Sequence, residues 1–363
     1  MNWNCQQDDW PHFSYDLEKT RRHEEQFLLV SGQMFGAFSS LIGRDQDQLK
    51  IQLLSDEALL TSKIEGELLD RDSLQSSLQR QLGLRGDLRT IPPAEEGVSE
   101  LLIEVYQNFD AALTDERLKR WHGTLMQGRQ DIETGHYRSG EDAMQIVSGP
   151  IYEPIVHYEA PPSPRLPAEM ASFLTWFEGS HGKLPALARS AVAHLYFESL
   201  HPFEDGNGRI GRAISELSLS QSVGQPLLVA LSQTIEKKRK HYYDQLARGS
   251  RSNKITEWVE YFSETILEAQ QLSIAKIEFL VSKAKYFDRY RSQLSARQEK
   301  VILRIFREGL DGFQGGLSAS NYRNISRASP ATVTRDLVDL VKKGALTRSG
   351  GKKGTRYQLN LEF

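Results

Sequence analysis

The stretch HPFEDGNGRIGR, residues 201–212, sets one histidine, two adjacent acids, three glycines and two arginines side by side. Each type has a use in phosphate chemistry. His201 can take a proton at neutral pH, since an imidazole titrates near about 6.5. Gly206, Asn207 and Gly208 form a glycine-bracketed turn that can aim several backbone N–H groups at one anion. Arg209 and Arg212 offer fork-shaped donors suited to phosphate oxygens, and their charge at a helix start needs an anion to offset it. Asp205 is a hard oxygen ligand of the kind that holds Mg²⁺ bridging phosphates. A phosphate cradle with a general base beside it is the chemistry these residues point to.

The elements around the stretch are helical. LPALARSAVAHLYFESL carries Leu184, Leu187, Ala188, Ala191 and Leu195 on one face and must end before Pro202, because the residue before a proline is pushed out of helical geometry. Ile210, Ala213, Ile214 and Leu217 then follow helical spacing, so a buried helix begins near Asn207, with Phe203 and Ile210 as apolar anchors of the loop. Helical patterning also covers residues 14 to about 85, with Leu54, Ala58, Ile64 and Leu68 among its apolar positions. A break at 85–97 precedes a helical run from Val98 to about Gln130, and another run extends from Pro167 to about Lys283. Between them, strands at about 144–147 and 155–158 are expected to form a hairpin around Gly149–Pro150.

The tail differs in charge and in pattern. Residues 281–363 hold 17 basic and 7 acidic residues, a net +10, while residues 1–280 hold 28 and 41, a net −13. A basic terminal module is the usual footprint of nucleic-acid binding. The pattern there reads as a helix from Ser295 to about Glu308, a short helix near 318–324, and a third capped by Ser329, opened by Pro330 and stopped at Gly344. Two strands around a Gly- and Lys-rich tip follow, so a winged helix-turn-helix is expected. Thr332, Thr334 and Arg335 would then be candidates to meet DNA, and Lys352, Lys353 and Arg356 would meet its phosphates. Cys5 is the only cysteine, which rules out an intramolecular disulfide and a cysteine-rich metal site. With no long apolar run and no basic, apolar start, no membrane association and a cytoplasmic location are expected.

Residues 201–212 match every fixed position of H-P-F-x-[DE]-G-N-G-R-x-x-R, and in this the chain resembles the Fic family. The resemblance implies transfer of the AMP part of ATP to a protein Ser, Thr or Tyr hydroxyl, with ATP and Mg²⁺ required. His201 then corresponds to the general base, Asp205 to the metal ligand, and Gly206 to Gly208 to the anion nest. Arg209 and Arg212 correspond to phosphate binders, and Ile210 and Gly211 belong to the same nucleotide-contacting run. The kinase branch of the family tends to carry lysine where this chain has Gly208, which favours nucleotidyl transfer. TSKIEG, residues 61–66, resembles the family's inhibitory pattern through Thr61, Glu65 and Gly66. The likeness implies a helix on which Glu65 pairs with Arg212 and misplaces the nucleotide.

KHYYDQL, residues 240–246, is similar to the region whose tyrosine lies by the adenine; Tyr242 or Tyr243 could serve, with Tyr243 favoured. GHYRSG and the hairpin beyond it resemble the entry and flap that align a target segment by strand addition.

The reading is thus a mostly α protein with an N-terminal helical domain (1–90), a Fic core with one hairpin flap (91–280) and a winged helix (285–363). It would act as a protein adenylyltransferase restrained by Glu65, with a target protein as partner and a homodimer as an expected assembly. Alternatives are removal of AMP from a modified protein, or a DNA-binding regulator with the core as nucleotide sensor.

Overall fold

The helical stretch expected from residue 14 to about 85 folds as three helices, α1 (Leu17–Ser39), α2 (Arg44–Ile64) and α3 (Arg71–Gln81). Gly66 ends α2 with φ +89°, a backbone state open to glycine. Its N–H donates to the Lys63 carbonyl (3.0 Å) and the Glu67 N–H to the Ser62 carbonyl (3.0 Å), the paired bonds of a Schellman stop. Asp70 then caps α3 by accepting from the Ser73 N–H at 2.8 Å. The computed structural model describes residues 3–41, 43–84, 89–140, 144–148, 155–313, 315–351 and 354–361.

Further along lie α4 (Pro93–Gln107), α5 (Asp115–Leu125), β1 (Gln145–Ser148), β2 (Ile155–Glu159), α6 (Leu166–Ser180), α7 (Ala186–Leu200), α8 (Asn207–Val223), α9 (Leu231–Lys237) and α10 (Arg239–Gly249). After them come α11 (Thr256–Tyr290), α12 (Ala296–Arg307), α13 (Ala319–Ser326), α14 (Pro330–Lys342), β3 (Leu346–Ser349) and β4 (Arg356–Leu359). The chain is mostly helical, with two antiparallel hairpins, and forms two compact units: Met1–Phe35 with Asp47–Ser273, and Gly36–Gln46 with Ile274–Phe363. Among the described residues no helix is long and apolar enough to cross a membrane.

In the first unit α7 is buried along its whole length and packs on α8, itself buried from Arg209 to Gln221. A helix enclosed on all sides is a core helix, and its polar members need partners. Arg189 donates to the Phe177 carbonyl (3.0 Å) and to Gln221 Oε1 (2.9 Å); His194 shares hydrogen bonds with Tyr242 Oη (2.7 Å) and Ser215 Oγ (3.1 Å). The N-terminal segment is stitched into the same unit. The Asn4 N–H donates to the Ser250 carbonyl (2.9 Å), Ser14 bridges Lys254, and Trp10 Nε1 donates to Glu169 (2.8 Å).

The β1–β2 hairpin has a register shift between Ile146 and Val147, and the expected Gly149–Pro150 turn lies outside the described residues. In the second unit Ser295, Ser318 and Ser329 cap α12, α13 and α14, and Val333, Leu337 and Leu340 join a core with Ile302, Phe306 and Tyr322. Leu317 adds a bridge to Tyr357 of β4, beside the β3–β4 hairpin.

Candidate active site

His201 closes α7 in the left-handed region (φ 43°, ψ 57°), an uncommon state for a residue with a side chain. Pro202 explains why the helix cannot run on, and Arg138 holds the exit in place. Its buried guanidinium donates to the carbonyls of His201 (2.8 Å), Leu200 (3.4 Å) and Pro161 (2.5 Å) and to Ser163 Oγ (3.0 Å). The loop is fastened again by Asn207, whose side-chain amide accepts from the Phe203 N–H (3.0 Å) and donates to the Phe203 carbonyl (2.8 Å). Phe203 stacks on His122 at 4.1 Å. Burial, then the charge of Arg138, pushes His201 down to about 4, against the opposing pull of Glu65 and Asp205. At neutral pH its imidazole is uncharged and able to accept a proton.

Gly206 (φ +80°) leads into α8, and the helix start faces a carboxylate. A Cβ placed on Gly208 would lie 2.2 Å from Glu65 Oε1 and 3.1 Å from Arg212 Nη1. Glu65 therefore rests on the turn where an anion was expected. It sits one residue beyond α2, at the helix stop rather than on the helix, because the Schellman bonds turn the chain there. A carboxylate at a helix C-terminus is unfavourable by itself; Arg212 offsets it.

The Arg212 Nη2 donates to Glu65 Oε1 (2.8 Å) and to the Thr61 carbonyl (3.0 Å), and Nε donates to Thr61 Oγ1 (2.8 Å). Thr61 lies one turn before Glu65, so both reach the same guanidinium. Burial is the largest influence and works against the Arg212 charge; Glu65, first among the groups that oppose it, helps hold the guanidinium above its ordinary range.

Arg209 is also buried and donates to Glu67 Oε2 (2.5 Å) and Asp205 Oδ1 (3.4 Å), while its Nε has no partner among the described residues. Asp205 takes Arg129 Nη1 at 2.9 Å. Burial acts to raise the Asp205 carboxyl, yet Arg129, Arg209 and the Gly206 N–H together keep it below the ordinary range. Ile210 lies in the core with its N–H bonded to the Gly206 carbonyl (3.0 Å), and Gly211 abuts the carboxyl of Glu198. Tyr243 is 39% exposed, whereas Tyr242 is buried and bonded to His194.

Thr61, Glu65, His201, Asp205, Arg209 and Arg212 are thus brought to one place. Arg138, Arg129, Glu67 and Glu198 complete it and were not singled out from the sequence. In the tail, Thr334 and Arg335 are exposed on α14 and Thr332 is half-buried; Lys352 and Lys353 lie outside the described residues.

The clasp makes a stability prediction. Adding a methyl at Gly208 must dislodge Glu65, whose carboxylate is the mobile end of the contact, and leave Arg212 short of a charged partner. Gly208→Ala should cost about 1–3 kcal/mol in wild type and much less beside Glu65→Gly, a coupling read by a denaturant double-mutant cycle. Equal costs in both backgrounds would contradict the placement of Glu65.

Comparison with known proteins fits this geometry. Uridine 5'-monophosphate transferase of Xanthomonas campestris pv. campestris (strain 8004) is 39% identical over 69 residues, 17% of this chain and 12% of that protein. Probable protein adenylyltransferase aq_aa38 of Aquifex aeolicus (strain VF5) is 22% identical over 219 residues, 58% of this chain and 64% of that one. The chain spans about an eighth of the first relative and just under two thirds of the second. A solved Fic family protein from Desulfovibrio desulfuricans G20 shares the fold, with a TM-score of 0.54 at 23% identity over 96% of this chain and 98% of its own. The profile of DUF4172, a domain of unknown function, matches residues 3–84, and that of the Fic/DOC family matches residues 112–219, which hold the His201–Arg212 loop. The chain carries a Fic/DOC domain.

Proposed function

We propose that the chain is a protein adenylyltransferase that moves AMP from ATP to a side-chain hydroxyl of a target protein and is restrained by Glu65. The observation that carries the reading is the carboxylate of Glu65 on the glycine turn, bonded to Arg212 at 2.8 Å. An anion already occupies the place a phosphate needs, and it holds the guanidinium that would receive one.

With Glu65 withdrawn, Arg212 and the N–H groups of Asn207 and Gly208 bind phosphate oxygens, while the Gly206 N–H stays on Asp205 Oδ1 (2.6 Å). Arg209 adds charge from the next turn. His201 accepts the proton of the target hydroxyl while that oxygen forms a bond to the α-phosphorus, and the bond from this phosphorus to the bridging oxygen of pyrophosphate breaks. Arg212 and the turn stabilise the departing charge.

Asp205 suits Mg²⁺, because a single partly exposed carboxylate completed by phosphate oxygens is a usual magnesium donor set. Among the described residues no cluster of three metal-ligating side chains exists, so such an ion depends on the nucleotide for its other ligands. Once bound it would neutralise phosphate charge. Tyr243, exposed beside Arg239, is the proposed adenine neighbour. The β1–β2 hairpin is the proposed flap for the target segment.

The test is label transfer to protein from α-labelled ATP by wild type and Glu65→Gly, with α-labelled UTP as a parallel arm and an AMP-modified protein as a third. Label from UTP alone would replace AMP with UMP. Release of AMP without transfer would reverse the direction of the reaction.

A second activity is proposed for the tail, on its net charge of +10 and the exposure of Thr334 and Arg335 on α14. We read this helix–helix–helix–hairpin unit as a winged helix that meets duplex DNA. The full chain should bind mixed-sequence duplex at low salt and lose affinity as salt rises, and Arg356→Ala should lower the log–log slope by about one. Absence of binding at low salt would turn the unit into a protein-docking arm.

A further inference from the structure

Glu198 lies in the last turn of α7, three residues before His201, and is only 7% exposed. Its Oε1 is buried without a hydrogen-bond partner among the described residues. A Cβ on Gly211 would fall 2.5 Å from that oxygen and 3.4 Å from the His194 ring, so the carboxyl lies directly against the backbone of α8 one residue from Arg212. We infer that Glu198 is a positioning residue for the anion site: it carries a proton and backs Gly211 and Arg212, so that a single negative group settles on the guanidinium. That group is the Glu65 carboxylate in the closed state and, resting on the function proposed above, a nucleotide phosphate in the open one.

The surroundings leave little alternative. Facing Glu198 are Glu65 beyond α2, Arg212 on α8, His194 on α7, His201 at its exit, and Tyr242 and Tyr243 on α10. None of them donates a hydrogen bond to Oε1. The Nε and Nη2 of Arg212 are already committed to Thr61 and Glu65. Ionising Glu198 would place a second carboxylate in a buried site whose guanidinium is paired, a costly arrangement. Burial first, and then Glu65, pushes its carboxyl up to about 8, with Arg212 acting in the opposite direction. A phosphate that replaces Glu65 imposes the same demand, so the anion and the Glu198 proton bind together.

Nucleotide affinity should therefore weaken as pH rises and Glu198 gives up its proton. Glu198→Gln keeps the shape but cannot ionise. Titration calorimetry of ATP into full-length Glu65→Gly and Glu65→Gly/Glu198→Gln from pH 6.5 to 9.5 cancels the titration of ATP itself in the ratio of the two Kd values. That ratio should rise about tenfold across the range, the change expected if the bound state raises the carboxyl by one unit. A merely structural Glu198 would shift both Kd values without a pH trend. Binding of ATP to Glu65→Gly with a flat ratio overturns this inference alone; no binding at any pH overturns the nucleotide reading and this inference with it. Calorimetry on Glu65→Gly alone, in buffers of different ionisation enthalpy at pH 8.5, decides the point even if the Gln variant fails to fold. Net proton uptake on ATP binding supports the role of Glu198, and no uptake overturns it.

Discussion

Glu65→Gly should transfer label from α-labelled ATP at least about tenfold faster than wild type, and Glu65→Gly/Arg212→Ala should lose that gain. The reason lies in one guanidinium with three of its bonds made inside the protein. Arg212 is buried, and Thr61 and Glu65 take its Nε and Nη2. A phosphate that arrives in this state meets a carboxylate on the turn and a neutralised arginine, so its reacting phosphorus is badly placed; misplacement by about an ångström is enough to cost a hundredfold. Removal of Glu65 frees both features together.

If Arg212 took no part in receiving the nucleotide, removing it as well would not abolish the gain, and the two substitutions would act independently. Equal rates for wild type and Glu65→Gly over a range of ATP concentrations would end the inhibitory reading. The α2 stop sharpens the argument, because Gly66 with φ +89° fixes where the carboxylate leaves the helix. A side chain there would strain the turn and move Glu65 without deleting it.

Local rules made the loop legible. Pro202 ends α7 and the glycines open α8, and both boundaries fall where those residues require. The tail was equally readable, since Ser295, Ser318 and Ser329 are N-caps with an apolar stripe behind them. Reading failed where apolar spacing continued across a break, as at Gly43 and Gly66, because periodicity carries no mark of a left-handed residue.

It also failed for partners distant in sequence. Arg138 lies in GHYRSG, which resembles the entry to the flap, yet it satisfies the carbonyls of the His201 exit. Glu67 and Arg129 look like surface residues until the fold brings them to Arg209 and Asp205. Glu198 was hidden by the polarity of its own helix, because α7 carries Arg189, His194 and Glu198 and yet is enclosed on every side. The Glu65–Arg212 contact joins residues 147 positions apart, and only the likeness to a known pattern pointed to it in advance.

His201→Ala should reduce transfer at least about a hundredfold in the Glu65→Gly background while changing ATP affinity by less than about threefold. A general base acts on the proton that moves in the transition state and contributes little to holding the ground state. The structure supports that division of labour. The proposed phosphate-facing groups are the turn at 206–208 and the arginines of α8, whereas His201 stands on the other side of Pro202 with its left-handed backbone held by Arg138. Its neutral ring follows from burial and the nearby guanidinium, which hold it near about 4. The base is therefore ready at pH 7, and acid weakens it only well below that. Parallel loss of transfer and ATP binding in His201→Ala, read by calorimetry beside the label assay, would make His201 a ligand contact or a structural residue. Loss of transfer with binding retained in His201→Ala would place proton removal on the imidazole.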